Sequence, residues 1–267
     1  MAFADTTAGK LHFEECGAGI PIVFLHSLFC DSSMWRHQVE DFSRDHRLIL
    51  IDGPGHGQSA IPREPLTIEQ CARGVLDVLD FLELPSAILA GISWGGMTAM
   101  RAALDAPARV KGLLLFSTSA EAQRWSARII NQALLLLVSR FRLLSLAARP
   151  LASALIGATS RRRQPELHRE LIEGIKRLEP DGLAHVIRTV LVERLAMSEE
   201  LWRVECPTLV VAGAEDAAIS PLQCDRIARR ITGALFQMVA QAGHLAPLES
   251  PEPVNALCRR FLAEKGL

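Results

Sequence analysis

The pentapeptide Gly91-Ile92-Ser93-Trp94-Gly95 constrains this chain more than any other stretch. It follows the apolar run Ala87-Ile88-Leu89-Ala90, which reads as a buried strand, and precedes Gly96 to Leu104, which reads as a helix. A backbone that leaves a buried strand and enters a helix within so few residues must turn sharply at the serine. The glycines on either side remove side chains that would collide in such a turn. The strained serine then lifts its hydroxyl clear of the sheet, the arrangement called a nucleophile elbow. The pentapeptide by itself is common; the strand before it and the helix after it make it informative.

The rest of the chain supplies the surroundings such an elbow needs. Short apolar runs at Leu11 to Cys16, Ile20 to Leu25, Arg47 to Ile51, Ser86 to Ala90, Val110 to Phe116, Thr208 to Val211 and Ala234 to Val239 read as strands. Helical periodicity lies between several of them: Thr67 to Leu82 places Ile68, Cys71, Val75, Val78, Leu79 and Leu82 at spacings of three and four. Leu222 to Ile231 and Pro253 to Leu262 behave alike. Alternation of this kind predicts a mostly parallel sheet covered on both faces.

Residues 121–201 break that rhythm, with helical spacing and no convincing strand. Pro150, Gly157, Pro165, Pro180 and Gly182 divide the segment into about four helices. The expected organisation is a core domain of residues 1–120 and 202–267 with a helical lid at 121–201. The lid carries thirteen Lys or Arg against nine Asp or Glu over residues 121–200, a net +4.

Composition excludes several classes. Twenty-nine basic residues against thirty acidic ones give a net charge of −1, so neither nucleic acid nor an anionic membrane is an expected partner. Met1 to Gly9 have no basic start and no apolar core, and Ala133 to Val138 is far shorter than a membrane span of about 18–20 residues. The expectation is a soluble cytoplasmic protein, of undetermined oligomeric state. None of the six cysteines forms Cys-x-x-Cys, so they read as reduced structural thiols and no metal is expected. The complete lack of tyrosine rules out mechanisms that need a tyrosine acid.

A serine needs a base to become a nucleophile. His244, in Ala242-Gly243-His244-Leu245, follows the last strand-like run and precedes the C-terminal helix, and is the best candidate. The acid that orients it is expected at Asp216, in Gly213-Ala214-Glu215-Asp216, because the order Ser, Asp, His then matches hydrolases built on such an elbow. Glu215 and Glu121 are rivals. Charge developing on a carbonyl oxygen calls for two preorganised N–H donors. One is expected from Trp94, directly after the nucleophile, and the other from Leu28, in the loop His26-Ser27-Leu28-Phe29 after the second strand. His26 is expected to brace that loop or to touch substrate. Phe29, Arg124, Trp125 and Leu245 are further candidates for substrate contact.

Asp52-Gly53-Pro54-Gly55-His56-Gly57-Gln58-Ser59 has glycines at every second position, which fits no nucleotide-binding fingerprint. It reads as a tight structural turn, with Ser59 a possible helix cap. Arg161, Arg162 and Arg163 read as solvated surface.

Taken in order, His26-Ser27 with Trp35, Asp52 to Ser59, Gly91 to Gly96, and Gly213 to Asp216 with Gly243-His244 resemble the α/β-hydrolase superfamily. Within it the chain looks most like the small carboxylesterases and 3-oxoadipate enol-lactonases. The segment Pro207 to Asp216 and the stretch Gly243-His244-Leu245 with Glu249 and Pro251 are similar to theirs. The resemblance implies a mostly parallel eight-stranded sheet with an inserted lid. It implies hydrolysis of a small ester or lactone through an acyl-enzyme, with no cofactor. Carbon–carbon hydrolysis, perhydrolysis or mere ligand sensing would use the same framework. Ser27 stands where the superfamily usually has glycine, so the oxyanion loop is expected to differ in backbone.

Overall fold

The computed structural model describes residues 2–123, 125–140 and 142–267. Eight strands form one sheet: β1 (Ala2–Thr6), β2 (Gly9–Gly17), β3 (Ile20–Leu25), β4 (His46–Ile51), β5 (Ala87–Ile92), β6 (Val110–Phe116), β7 (Thr208–Gly213) and β8 (Leu235–Val239). Their spatial order is β1-β2-β4-β3-β5-β6-β7-β8. The β1–β2 and β2–β4 pairs are antiparallel, and every later pair is parallel. Strand β1 has no counterpart in the sequence reading. It is an edge strand with Ala4 as its one buried residue, so neither a continuous apolar run nor alternation announces it.

Helices α1 (Arg36–Phe42), α2 (Ile68–Phe81) and α3 (Trp94–Asp105) accompany the first six strands. Between β6 and β7 lie α4 (Trp125–Ser139), α5 (Leu144–Leu155), α6 (Ala158–Arg163), α7 (Pro165–Arg177) and α8 (Pro180–Ile187), followed by a π-helical turn at Arg188–Val192. Helices α9 (Pro221–Arg230), α10 (Ala246–Glu249) and α11 (Pro251–Lys265) complete the chain. Every residue of β5 and β7 is buried, as two helix-covered faces require. Thr67 caps α2 through a reciprocal box with Gln70, which explains the sharp start of its apolar periodicity. Among the described residues no helix is long and apolar enough to cross a membrane.

Two sequence expectations fail here. Pro150 does not end a helix but sits inside α5. Its ring and Leu146 face solvent, so the Leu146 carbonyl that loses its N–H partner can be hydrated instead. Ser59 caps nothing: its hydroxyl donates to the Asp52 carbonyl at 2.6 Å and accepts from His12 N–H at 2.8 Å, closing the glycine-rich turn.

The parallel register fixes where chemistry can occur. Leu25 pairs with Gly91, Gly91 with Leu115, Phe116 with Val211 and Gly213 with Val239. The carboxyl ends of β3, β5, β6, β7 and β8 therefore share one edge, and their loops open onto one crevice.

Candidate active site

Ser93 occupies that edge in the strained conformation its sequence context demands, with φ 54° and ψ −115°. Neighbouring backbone leaves no room for side chains: a Cβ on Gly91 would lie 2.3 Å from the Gly95 carbonyl oxygen, and one on Gly95 2.2 Å from that of Leu25. The turn is braced from behind. Ser93 N–H donates to the Phe116 carbonyl at 2.9 Å, and the Thr118 hydroxyl donates to the Ser93 carbonyl at 2.7 Å. Cys224 in turn donates its thiol to the Thr118 carbonyl at 3.3 Å.

His244 and Asp216 meet across the β7 and β8 loops. Nδ1 of His244 lies 2.9 Å from Oδ2 of Asp216, and both side chains are almost wholly buried. The other carboxylate oxygen of Asp216 accepts the N–H groups of Ala218 and Ile219, each at 2.9 Å. Asp216 is thus held on both oxygens, and Nε2 of His244 is left as the ring's outward nitrogen. Ser93 and His244 line the same cavity, of about 360 Å³.

The two rival acids are engaged elsewhere. Both Glu215 oxygens accept from Thr159, one from its N–H at 2.7 Å and one from its hydroxyl at 2.6 Å, and these bonds hold the Glu215 carboxyl below its usual range. Glu215 therefore fastens α6 to the sheet. Glu121 pairs with Arg226 of α9 at 2.6 Å.

The loop after β3 forms a turn in which Cys30 N–H donates to the Ser27 carbonyl at 3.1 Å. The substitution of serine for glycine at position 27 carries no strain, because Ser27 keeps a negative φ. Phe29 takes the left-handed position instead, with φ 71°. Leu28 and Phe29 both line the cavity. His26 does not. Its Nδ1 lies 2.8 Å from the Ser27 carbonyl and its Nε2 accepts Gly53 N–H at 2.8 Å, so the ring ties the loop to the glycine-rich turn. It packs with His56 and Trp94, ring centroids 5.3 and 5.7 Å away. The Trp94 indole therefore points into this buried trio, while its N–H stays at the first turn of α3.

Of the remaining candidates, Trp125 is 78% exposed and Leu245 is fully buried; neither lines the cavity. Arg124 lies outside the described residues. Arg161 is not merely solvated: its guanidinium donates to the carbonyls of Ser153 and Ile156, capping the end of α5.

Two further residues matter here: Glu249, which the sequence marked only as part of a resemblance, and Arg194, which it did not single out. The buried Glu249 accepts N–H groups from Gly157 and Gly243, both at 2.9 Å, and from Leu245 at 3.0 Å. It brackets His244 and binds the helical segment to it. Arg194, 8% exposed, lines the cavity just after the π-helical turn at Arg188–Val192.

The family model for the alpha/beta hydrolase fold matches residues 20–251. The chain belongs to the α/β-hydrolase family. The hydrolase is 30% identical to 3-oxoadipate enol-lactonase 2 of Acinetobacter baylyi, over 90% of its own length and 89% of that protein. A thermophilic esterase of Thermogutta terrifontis, solved with malate bound, superposes with a TM-score of 0.92 at 29% identity, covering 99% of this hydrolase and 98% of the esterase. The enol-lactonase of Burkholderia xenovorans superposes with a TM-score of 0.91 at 25% identity, covering 98% and 100%.

Proposed function

We propose that the hydrolase cleaves a carboxylic ester or lactone by a Ser-His-Asp mechanism. Its relatives include an enol-lactonase, a carboxylesterase and an esterase, and the chain is a carboxylic ester hydrolase like them. The 2.9 Å contact of His244 with a doubly anchored Asp216, and the cavity that His244 shares with Ser93, carry the mechanistic reading.

Ser93 attacks the carbonyl carbon while Nε2 of His244 takes its proton. Asp216 fixes the imidazole tautomer and stabilises the cation that forms. The N–H groups of Leu28 and Trp94 receive the developing oxyanion; one such donor is worth on the order of 10²–10³ in rate. His244 then protonates the departing alkoxide. Water, deprotonated by the same imidazole, releases the acid from Ser93. The helices between β6 and β7 act as a lid, and Leu134, Leu151 and Val190 give the substrate chamber its apolar wall. In a lactone, acid and alcohol stay joined in one product.

The test compares wild type with Ser93→Ala on short-chain ethyl esters and lactones. Wild type is expected to hydrolyse them and the variant to lose at least about 10³-fold. Equal turnover by both proteins removes Ser93 from the mechanism.

A further inference from the structure

Helix α4 is apolar on the side it turns to water. Of its fifteen residues only Val138 is buried, whereas a helix packed on a core normally buries a whole stripe. Trp125, Ile129, Ile130 and Leu136 are each more than half exposed. Trp125, Ile129 and Leu136 stand at spacings of four and seven and so share one face. The other face carries Ala127, Asn131 and Leu134 into the cavity. Leu146, on the helix that follows, is exposed as well. Large apolar side chains gathered on one face, rather than scattered singly, mark a surface that meets something other than water.

The charge around that face selects the partner. A net charge of −1 over the whole chain argues against an anionic surface, but the charge is unevenly spread. Residues 122–165 hold eight arginines and no lysine, aspartate or glutamate, so the remainder of the chain is net acidic. Arg128, Arg140, Arg142 and Arg149 are exposed. Among the described residues only Arg142 of these four has carboxylate partners, Glu179 and Asp181, both at 3.4 Å. A second copy of this chain is a poor occupant. A two-fold contact sets a surface against itself, and this segment has no acid to offer its own arginines. Tryptophan and branched aliphatic side chains flanked by arginines are instead the composition of a helix that lies in a lipid headgroup layer.

We propose that the outer face of α4 docks this hydrolase on the surface of an anionic lipid bilayer. Trp125, Ile129, Ile130 and Leu136 enter the headgroup layer, and the flanking arginines meet lipid phosphates. The helix lies on the bilayer and does not cross it: fifteen residues make about 22 Å, short of a hydrocarbon core of about 30 Å. The net acidic remainder is repelled by such a surface, so the molecule arrives with α4 leading. The cavity-lining face of α4 then stands one helix diameter, about 10 Å, from the lipid.

The test is flotation of the purified full chain with large unilamellar vesicles. Wild type should rise with vesicles of equal parts phosphatidylglycerol and phosphatidylcholine, and far less with phosphatidylcholine alone. Raised salt should weaken the anionic binding. Two variants separate the contributions: Ile129→Gln/Ile130→Gln/Leu136→Gln removes apolar contact, and Arg128→Gln/Arg140→Gln removes charge. Each should lower vesicle affinity at least about tenfold. All five side chains face water in the free protein, so urea midpoints should match wild type. A reading on a nearly unaltered chain stands beside these: anionic vesicles should shift wild-type tryptophan emission to the blue, and Trp125→Phe should remove that shift. No flotation with anionic vesicles, equal flotation with both vesicle types, or flotation unchanged in the apolar variant overturns the proposal. A wild-type dimer in light scattering that the apolar variant turns into a monomer, without vesicle binding, assigns the face to a second copy instead.

Discussion

Glu249 shows how a buried carboxylate can hold the backbone around His244 without touching its ring. Its three backbone partners surround His244 on both sides and reach into the helical segment at Gly157. Removing the acceptor leaves buried donors unpaired, at about 1–3 kcal/mol each. Glu249→Ala is expected to lower stability by about 3 kcal/mol or more in urea unfolding, and to lower kcat through a displaced imidazole. The sequence placed Glu249 in a stretch that resembles the enol-lactonases but gave no sign of its role, because glutamates are rarely buried. Ser93, His244 and Asp216 were legible for the opposite reason: each follows a strand, and their order along the chain matches one mechanism. Order along the chain admits Glu215 as readily as Asp216, and the sequence could separate them only because consecutive turn residues point in different directions. The structure adds the partners: Thr159 occupies both Glu215 oxygens, while Asp216 meets His244. Arg194 gave no signal at all, because nothing local distinguishes an arginine aimed inward from one in water.

At the scale of elements, strands β2 to β8 were readable as apolar runs, and the β1 edge was not. The helical segment was recognised as a whole, but its internal divisions were misread at Pro150. Proline costs a helix one hydrogen bond and a ring clash, and α5 tolerates it with the freed Leu146 carbonyl at the solvent-facing surface. Helix α5 still bears a cost there, since proline is about 3 kcal/mol worse than alanine in a helix interior. Pro150→Ala is expected to raise stability by about 1–3 kcal/mol in urea or thermal unfolding. Leu151, Ala154 and Leu155 follow immediately and line the cavity. Restoring the hydrogen bond to Leu146 should therefore change KM for bulky acyl chains more than kcat. No change in the unfolding midpoint would show that tertiary packing, not helix propensity, sets this element's stability.

At the scale of the whole molecule, one contribution to acid sensitivity is expected from a residue that takes no part in the proposed proton transfer. His56 is buried in the glycine-rich turn with Nδ1 3.1 Å from the Pro54 carbonyl, and burial lowers its pKa to about 3. In the unfolded chain an imidazole takes up its proton near 6.5. Between those values the unfolded state binds a proton that the folded state refuses, so this contribution to stability is complete above pH 6.5 and shrinks as pH falls. The slope from His56 is about 1.4 kcal/mol per pH unit. Urea midpoints measured at pH 7, 6 and 5 should fall accordingly, and His56→Asn should fall less steeply by about that amount. Parallel slopes for the two proteins would assign the acid sensitivity to other groups.

The N–H groups of His244 and Leu245 both donate to the carbonyl of Leu155, at 3.1 and 3.3 Å. Leu155 itself lines the substrate chamber. The wall that would discriminate among acyl groups and the ring that would carry the proton are thus one mechanical body. Grafting a foreign helical segment here would not simply exchange selectivity; it would re-aim the base at the same stroke. Specificity and turnover are therefore coupled variables in this enzyme, and a redesign that seeks to change the first alone must keep residues 155–159 as they are.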